Sequence, residues 1–264
     1  MAGVTLTLRN RSLLLAAACG ITALIYWPGL SGEFIFDDYP NIVNNLHLHI
    51  DTLSLGSLKQ VIASGVSGPL KRPVSMLSFA LNFYFTGLDT FYFKLTNLVI
   101  HLLAGIALFL LTNRVLLAYR EQHQPRLTET HITWITLAVT AAWLFHPLNV
   151  TGVLYVVQRM TSLSALFFFV GMACYVEGRR RINRGVSGIG HIATALVVFT
   201  PLAALSKENG ALLPLFMLIT EFALFGFETP HSRHRKVLYM LFGLSVALPA
   251  AAAGIYTVIH PQWI

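Results

Sequence analysis

At 264 residues, with 55% hydrophobic and 11% charged side chains, the chain is too apolar for a soluble domain, in which about a quarter of residues are charged. The formal charge of +7 does not point to nucleic acid, because Lys and Arg lie in short clusters between apolar runs instead of in an aromatic-interleaved patch. Cys19 and Cys174 both fall inside apolar windows, which excludes a disulfide framework and a metal-type spacing.

The N-terminus carries Arg9 and Arg11 before the apolar run 13–18 and then Cys19-Gly20, an order shared with secretion signals. The run continues through Ile21, Leu24, Ile25 and Trp27, however, which is the length of a span and not of a signal core. Apolar windows of roughly 20 residues predict an all-α membrane protein with about seven transmembrane helices. They cover residues 12–30, 91–117, 132–146, 162–176, 189–205, 211–227 and 237–259.

With the N-terminus in the cytoplasm, the inner segments hold Arg9, Arg11, Arg114, Arg120, Arg126, Arg179, Arg180, Arg181, Arg184, Arg233, Arg235 and Lys236. The outer segments hold only scattered cations: Lys59, Lys71, Arg72, Lys94, Arg159 and Lys207. The positive-inside rule favours that orientation, which puts the long loop 31–90 on the outer face. Within it, Leu53, Leu55, Leu58, Val61 and Ile62 are spaced for a short one-sided helix, and Pro73 opens a second apolar stretch that reaches Phe85. Both read as helices in the membrane interface.

Ionisable residues at membrane depth are expensive to keep and mark functional hypotheses. In Phe34-Ile-Phe-Asp37-Asp38-Tyr-Pro40 two adjacent carboxylates follow an apolar run, and a partly desolvated carboxylate can take a proton from a hydroxyl. Ordinary turn chemistry before Tyr-Pro explains the same residues equally well. Lys71-Arg72-Pro73 offers a basic pair for a ligand or for lipid headgroups. His146-Pro147 closes the third span, and Gln158-Arg159 opens the fourth with a guanidinium fork suited to phosphate oxygens or to snorkelling. Ser206-Lys207-Glu208-Asn209 places two opposite charges in a very short connection. Asn97 and His101, four apart on one helix face, line a cavity or form an interhelical hydrogen bond.

These stretches, in this order, resemble the membrane domain of the transmembrane and tetratricopeptide-repeat O-mannosyltransferases and their bacterial relatives, within the C-type glycosyltransferases. The resemblance runs through Phe34 to Asp38, Arg72-Pro73, Leu95-Thr-Asn97-Leu98 to His101, His146-Pro147, Val157-Gln-Arg-Met-Thr-Ser162 and Leu205-Ser-Lys-Glu-Asn-Gly210. It implies a single membrane domain over 1–264 that moves a sugar from a polyprenyl-phosphate carrier to a hydroxyl of a protein or glycan acceptor outside the membrane. The bacterial inner membrane, with a periplasmic active face, is the expected location. The catalytic base falls on Asp38, with Asp37 as neighbour or substitute. Lys71, Arg72, Arg159 and Lys207 become the expected ligands of the carrier phosphate, and Glu208, His146, His101, Asn97 and Gln158 line the cavity.

No cofactor is firmly implied; Asp37, Asp38 and a histidine could take a divalent metal, but no ligand spacing compels it. The family usually continues with further spans, often with repeats, past the point where this chain ends at Ile264. Acceptor selection is therefore expected to involve a missing C-terminal region or a partner subunit. The alternative function is a non-catalytic membrane subunit that binds a polyprenyl lipid or a partner protein. A transporter fits poorly, since no inverted repeat is visible.

Overall fold

The computed structural model describes residues 8–251, which form helices and turns and, among the described residues, no strand. Helix α1 (Leu8–Tyr26) fills the first apolar window and gives way to a tight turn at Pro28. In the long loop, α2 (Leu55–Ala63) begins where Ser54 Oγ accepts the Ser57 N–H at 3.1 Å. Helix α3 (Pro73–Thr86) opens on a proline, whose missing N–H has no partner to lose there. Helix α4 (Thr90–Gln122) follows an Asp89 cap and is 33 residues long.

Helix α5 (Glu129–Leu144) starts on a Thr128 cap and stops short of Pro147, after which the chain bends by 50° into a short segment that includes α6 (Val150–Leu154). Helix α7 (Arg159–Asn183) crosses back. Helices α8 (Ile189–Thr194) and α9 (Thr200–Ser206) form one rod joined by a π turn just before Pro201, where the α ladder lacks a donor. Helix α10 (Leu213–Thr220) is followed by another π turn, and α11 (Ser232–Phe242) runs into a further one at Gly243–Ala247.

Among the described residues, five helices are long and apolar enough to cross a membrane: Arg9–Gly29, Thr90–Gln122, Val156–Asn183, Ile189–Ser206 and Glu208–Phe225. The bent pair of α5 and Pro147–Leu154 makes a sixth when counted as one span. The chain is thus an all-helical integral membrane protein with five to six candidate spans. Of the expected window 237–259, α11 and the turn after it account for the first part, and the residues past 251 lie outside the described residues.

The fourth expected window ended at residue 176, yet α7 runs on to Asn183. Arg179 and Arg180, expected in a water-facing segment, are buried there because carboxylates meet them. Arg179 donates from Nε and Nη2 to Glu221 at 2.7 and 2.9 Å, both side chains are wholly buried, and the Tyr175 hydroxyl donates to the same carboxylate. Arg180 pairs with Glu121 at 2.7 Å and with Glu177 at 2.8 Å, and Arg114 joins Glu177 at 3.0 Å. Pairing with carboxylates offsets the cost of burying these charges.

At the opposite end of the bundle the loop before α4 is a folded cap. Ile42, Leu48, Val61, Met76 and Phe79 share one apolar cluster with Phe93, Val156 and Met160 of the helices beneath. His49 stacks on Phe83 with ring centroids 4.3 Å apart, and Asn45 Nδ2 donates to Ser64 O at 3.3 Å. This cap gathers the sequence-distant polar stretches at one end.

Candidate functional site

The turn Ile35-Phe36-Asp37-Asp38 separates the two carboxylates completely. The Asp38 N–H donates to Ile35 O at 2.9 Å, and the Ile35 N–H donates to Asp38 Oδ2 at 3.0 Å. The other Asp38 oxygen accepts the Val157 N–H at 2.7 Å. Asp38 is wholly buried, clamping the loop to the segment between α6 and α7. Burial pushes its carboxyl above the ordinary carboxylate range, against the opposing pull of these N–H groups and the Lys94 charge. Asp37, in contrast, is exposed, and its N–H rests on the Tyr155 hydroxyl at 3.0 Å. Of the two residues expected to supply a base, Asp37 is the exposed one and Asp38 the buried one.

Phe36 takes the second position of this turn with φ of 43°, a left-handed conformation that side chains other than glycine rarely adopt. Its ring is 81% exposed and stands edge-on to Tyr155, with centroids 6.4 Å apart.

Arg159 faces inward, away from any surface. Its Nε donates to Asn97 Oδ1 at 2.7 Å, Nη1 to Ser78 O at 3.0 Å and Nη2 to Phe93 O at 2.8 Å. The guanidinium lies over the rings of Phe79 and Phe93, and the residue has no accessible surface. Through these contacts the start of α7 ties α3 and α4 together, and the guanidinium expected to meet a phosphate is occupied by protein acceptors. Asn97 is part of the same tie, donating to Val153 O and Val156 O at 3.2 Å. It is buried, so of the two readings the interhelical hydrogen bond is the one its contacts express.

Arg72 and Lys71 both adopt left-handed backbone angles, with φ of 48° and 57°. This turn aims Arg72 at Glu208, which it meets through Nε at 3.0 Å and Nη2 at 2.9 Å. Glu208 fits there because Gly68 has no side chain: a Cβ at Gly68 would stand 1.9 Å from Glu208 Oε1. Lys71 turns away and donates to Ala63 O at 3.0 Å. Lys207 lies between α9 and the turn before α10, a connection kept short by Gly210 packed against the Ala203 backbone. Its Nζ donates to Thr161 Oγ1 at 2.8 Å, and Thr161 donates to Gln158 Oε1 at 2.7 Å. Burial, and then the neighbouring Arg72 charge, hold the Lys207 ammonium below the usual lysine range, while Glu208 pulls it back up.

Gln158 and Thr161 form one wall of a cavity of about 130 Å³, together with His101, Trp143, Asn149 and Ser162. His101 Nε2 lies 3.2 Å from Leu144 O, and its ring stacks on Trp143. His146 is exposed at the turn after α5, where its Nδ1 accepts the Leu148 N–H. Among the described residues no group of three or more His, Cys, Asp or Glu side chains converges as metal ligands. One residue escaped the sequence reading of the site: Lys94, buried on α4 next to Gly32, is the positive charge that acts on Asp38. It stands there among the outer-face cations without a role; a lysine inside the second apolar window was the available signal.

No family model matches the chain, and no solved structure matches it. It is similar to Protein O-mannosyl-transferase TMTC1 of Mus musculus, 29% identical over 210 residues that make up 74% of this chain and 20% of that protein. Protein O-mannosyl-transferase TMTC4 of Homo sapiens is 30% identical over 189 residues, 68% of this chain and 25% of that protein. Protein O-mannosyl-transferase TMTC3 of Homo sapiens is 28% identical over 203 residues, 72% and 20% respectively. The chain thus spans about a fifth to a quarter of the length of these curated relatives. By this shared stretch, the chain carries a membrane domain of the TMTC O-mannosyl-transferase type.

Proposed function

We propose that this domain transfers mannose from a polyprenyl-phosphate carrier to a hydroxyl of a protein acceptor, on the outer face of a bacterial inner membrane. The relatives named O-mannosyl-transferases support the reaction class. The observation that carries the assignment of roles is the division of labour within the acidic pair, one carboxylate buried as a clamp and the next one exposed. In this reading Asp37 is the base and Asp38 is a positioning residue.

The acceptor oxygen attacks the anomeric carbon as Asp37 takes its proton, and the bond to the carrier phosphate breaks with its electron pair leaving on that phosphate. The single displacement inverts the anomeric carbon. Lys207 is the cation best placed for the leaving phosphate, being bonded to a hydroxyl and to no carboxylate, whereas Arg72 is already neutralised in part by Glu208. The cavity walled by Gln158 and Thr161 is the proposed seat of the sugar. In this reading helices α2 and α3 lie in the interface of the outer leaflet, with the arginine-rich end inside, in keeping with the positive-inside rule.

The test is mannose transfer by membranes containing Asp37→Asn or Asp38→Asn. Loss of the base lowers kcat by about a hundredfold or more at unchanged thermal stability. Loss of the clamp lowers stability and activity together. Full activity in Asp37→Asn membranes refutes the assignment.

A further inference from the structure

We propose that Phe36 is the acceptor-contacting residue, an apolar shelf that receives the side chain next to the acceptor hydroxyl of a protein segment. The inference rests on the glycosyl-transfer reading and adds a specificity element to it. Two features of Phe36 work against folding: the left-handed backbone at φ 43° and a ring left 81% exposed. Such a conformation persists only where its surroundings impose it, and here one Asp38 carboxylate oxygen closes the turn on the Ile35 N–H while the other anchors it to the Val157 N–H. The clamp delivers two things outward, the Asp37 carboxylate and the Phe36 ring, with Tyr155 beneath both.

Geometry assigns the ring to the acceptor. In a single displacement the attacking hydroxyl and the leaving phosphate occupy opposite sides of the anomeric carbon. Phe36 shares a peptide bond with the base and so stands on the hydroxyl side, while Arg72 and Lys207 come from the start of α3 and the end of α9. Insertion of the ring among anionic headgroups is disfavoured by the exposed carboxylates of Glu33 and Asp37, which flank it within three residues. The same carboxylates select against acidic side chains in the acceptor. The occupant is therefore a segment with an apolar residue beside its Ser or Thr and no acidic one.

The experiment uses the full chain in nanodiscs, a polyprenyl-phosphate mannose donor, and two synthetic peptides with one Thr flanked by Leu or by Asp. The Leu peptide is expected to be the better acceptor. Phe36→Ala and Phe36→Gly are expected to raise its KM about tenfold, the loss of one aromatic contact, with the donor KM unchanged. Glycine suits the positive φ, so Phe36→Gly keeps or raises the melting temperature and separates contact from folding. In Phe36→Trp, the emission remaining after subtraction of the four native tryptophans should shift on adding the Leu peptide without donor. Unchanged peptide KM in the variants, or Phe36→Trp emission that ignores peptide and is quenched by brominated lipid, overturns the proposal. Absence of transfer by the unsubstituted chain overturns the transfer reading instead, and the fluorescence titration still decides the peptide contact.

Discussion

Replacing Arg159 with Met tests whether a guanidinium at the start of a span serves the fold or the ligand. The substitution keeps the bulk of the stem and the contact with Phe79 and Phe93 but removes three hydrogen bonds, to Asn97 Oδ1, Ser78 O and Phe93 O. Interhelical hydrogen bonds within membranes are worth about 0.6 kcal/mol on average and up to about 1.7 each, so three give roughly 2 to 5 kcal/mol. The lost cation–π attraction to two rings adds about 1 kcal/mol. A loss of about 4 kcal/mol corresponds to roughly 8–16 °C in melting temperature for a domain of this size. The assay is thermal unfolding in detergent or nanodiscs, followed by the labelling of Cys19 and Cys174 with a thiol-reactive dye. Arg159→Lys restores the charge without the planar fork and should recover less than half of the loss. An Arg159→Met chain that melts normally but has a raised donor KM would refute the argument and return Arg159 to the phosphate.

Asp38 gives a pH signature. Its folded carboxyl is held above the ordinary range, so its contribution to stability is complete below that range and is lost as pH rises through the raised folded value; Asp38→Asn should remove this slope from melting curves. Lys207 behaves in the opposite chemical sense: its lowered value means that the cation disappears at a lower pH than for a free lysine, so donor KM should climb on the alkaline limb, and Lys207→Arg should move that limb upward. Gly68→Ala puts a methyl group 1.9 Å from Glu208 Oε1 at a φ of 73°, and should lower stability by about 1–2 kcal/mol, measured by thermal unfolding; Glu208→Ala in that background relieves the clash but leaves the backbone penalty.

The spans were legible where apolar runs were uninterrupted, as in α1, α4 and α7; α2 was marked by the spacing of Leu55, Leu58, Val61 and Ile62, and the start of α3 by Pro73. The extension of α7 was not legible, because Arg179 and Arg180 read as loop residues until Glu221, Glu121 and Glu177 are brought to them from other elements. The site was legible as a set of stretches and illegible in its roles. Asp37 and Asp38 are identical in chemistry, and only the turn at Phe36 turns one inward and the other outward. Arg159 looked like a phosphate ligand because the carbonyls that occupy it lie some 65 to 80 positions away, at Ser78 and Phe93. The expectation for Arg72 likewise lacked the approach of Glu208 across 136 positions.

Two of the buried arginines of α7 carry a last implication. Arg159 and Arg179 are twenty residues apart, a rise of about 30 Å and a rotation of roughly 200°, so they leave the helix from nearly opposite faces at its two ends. That rise equals the thickness of the hydrocarbon layer, about 30 Å. Helix α7 therefore acts as a ruler with a stop at each surface, unable to slide along the bilayer normal or to roll about its own axis without stripping a guanidinium of its acceptors. Any large motion of the domain must then be carried by the loop cap or by neighbouring helices moving around a stationary α7.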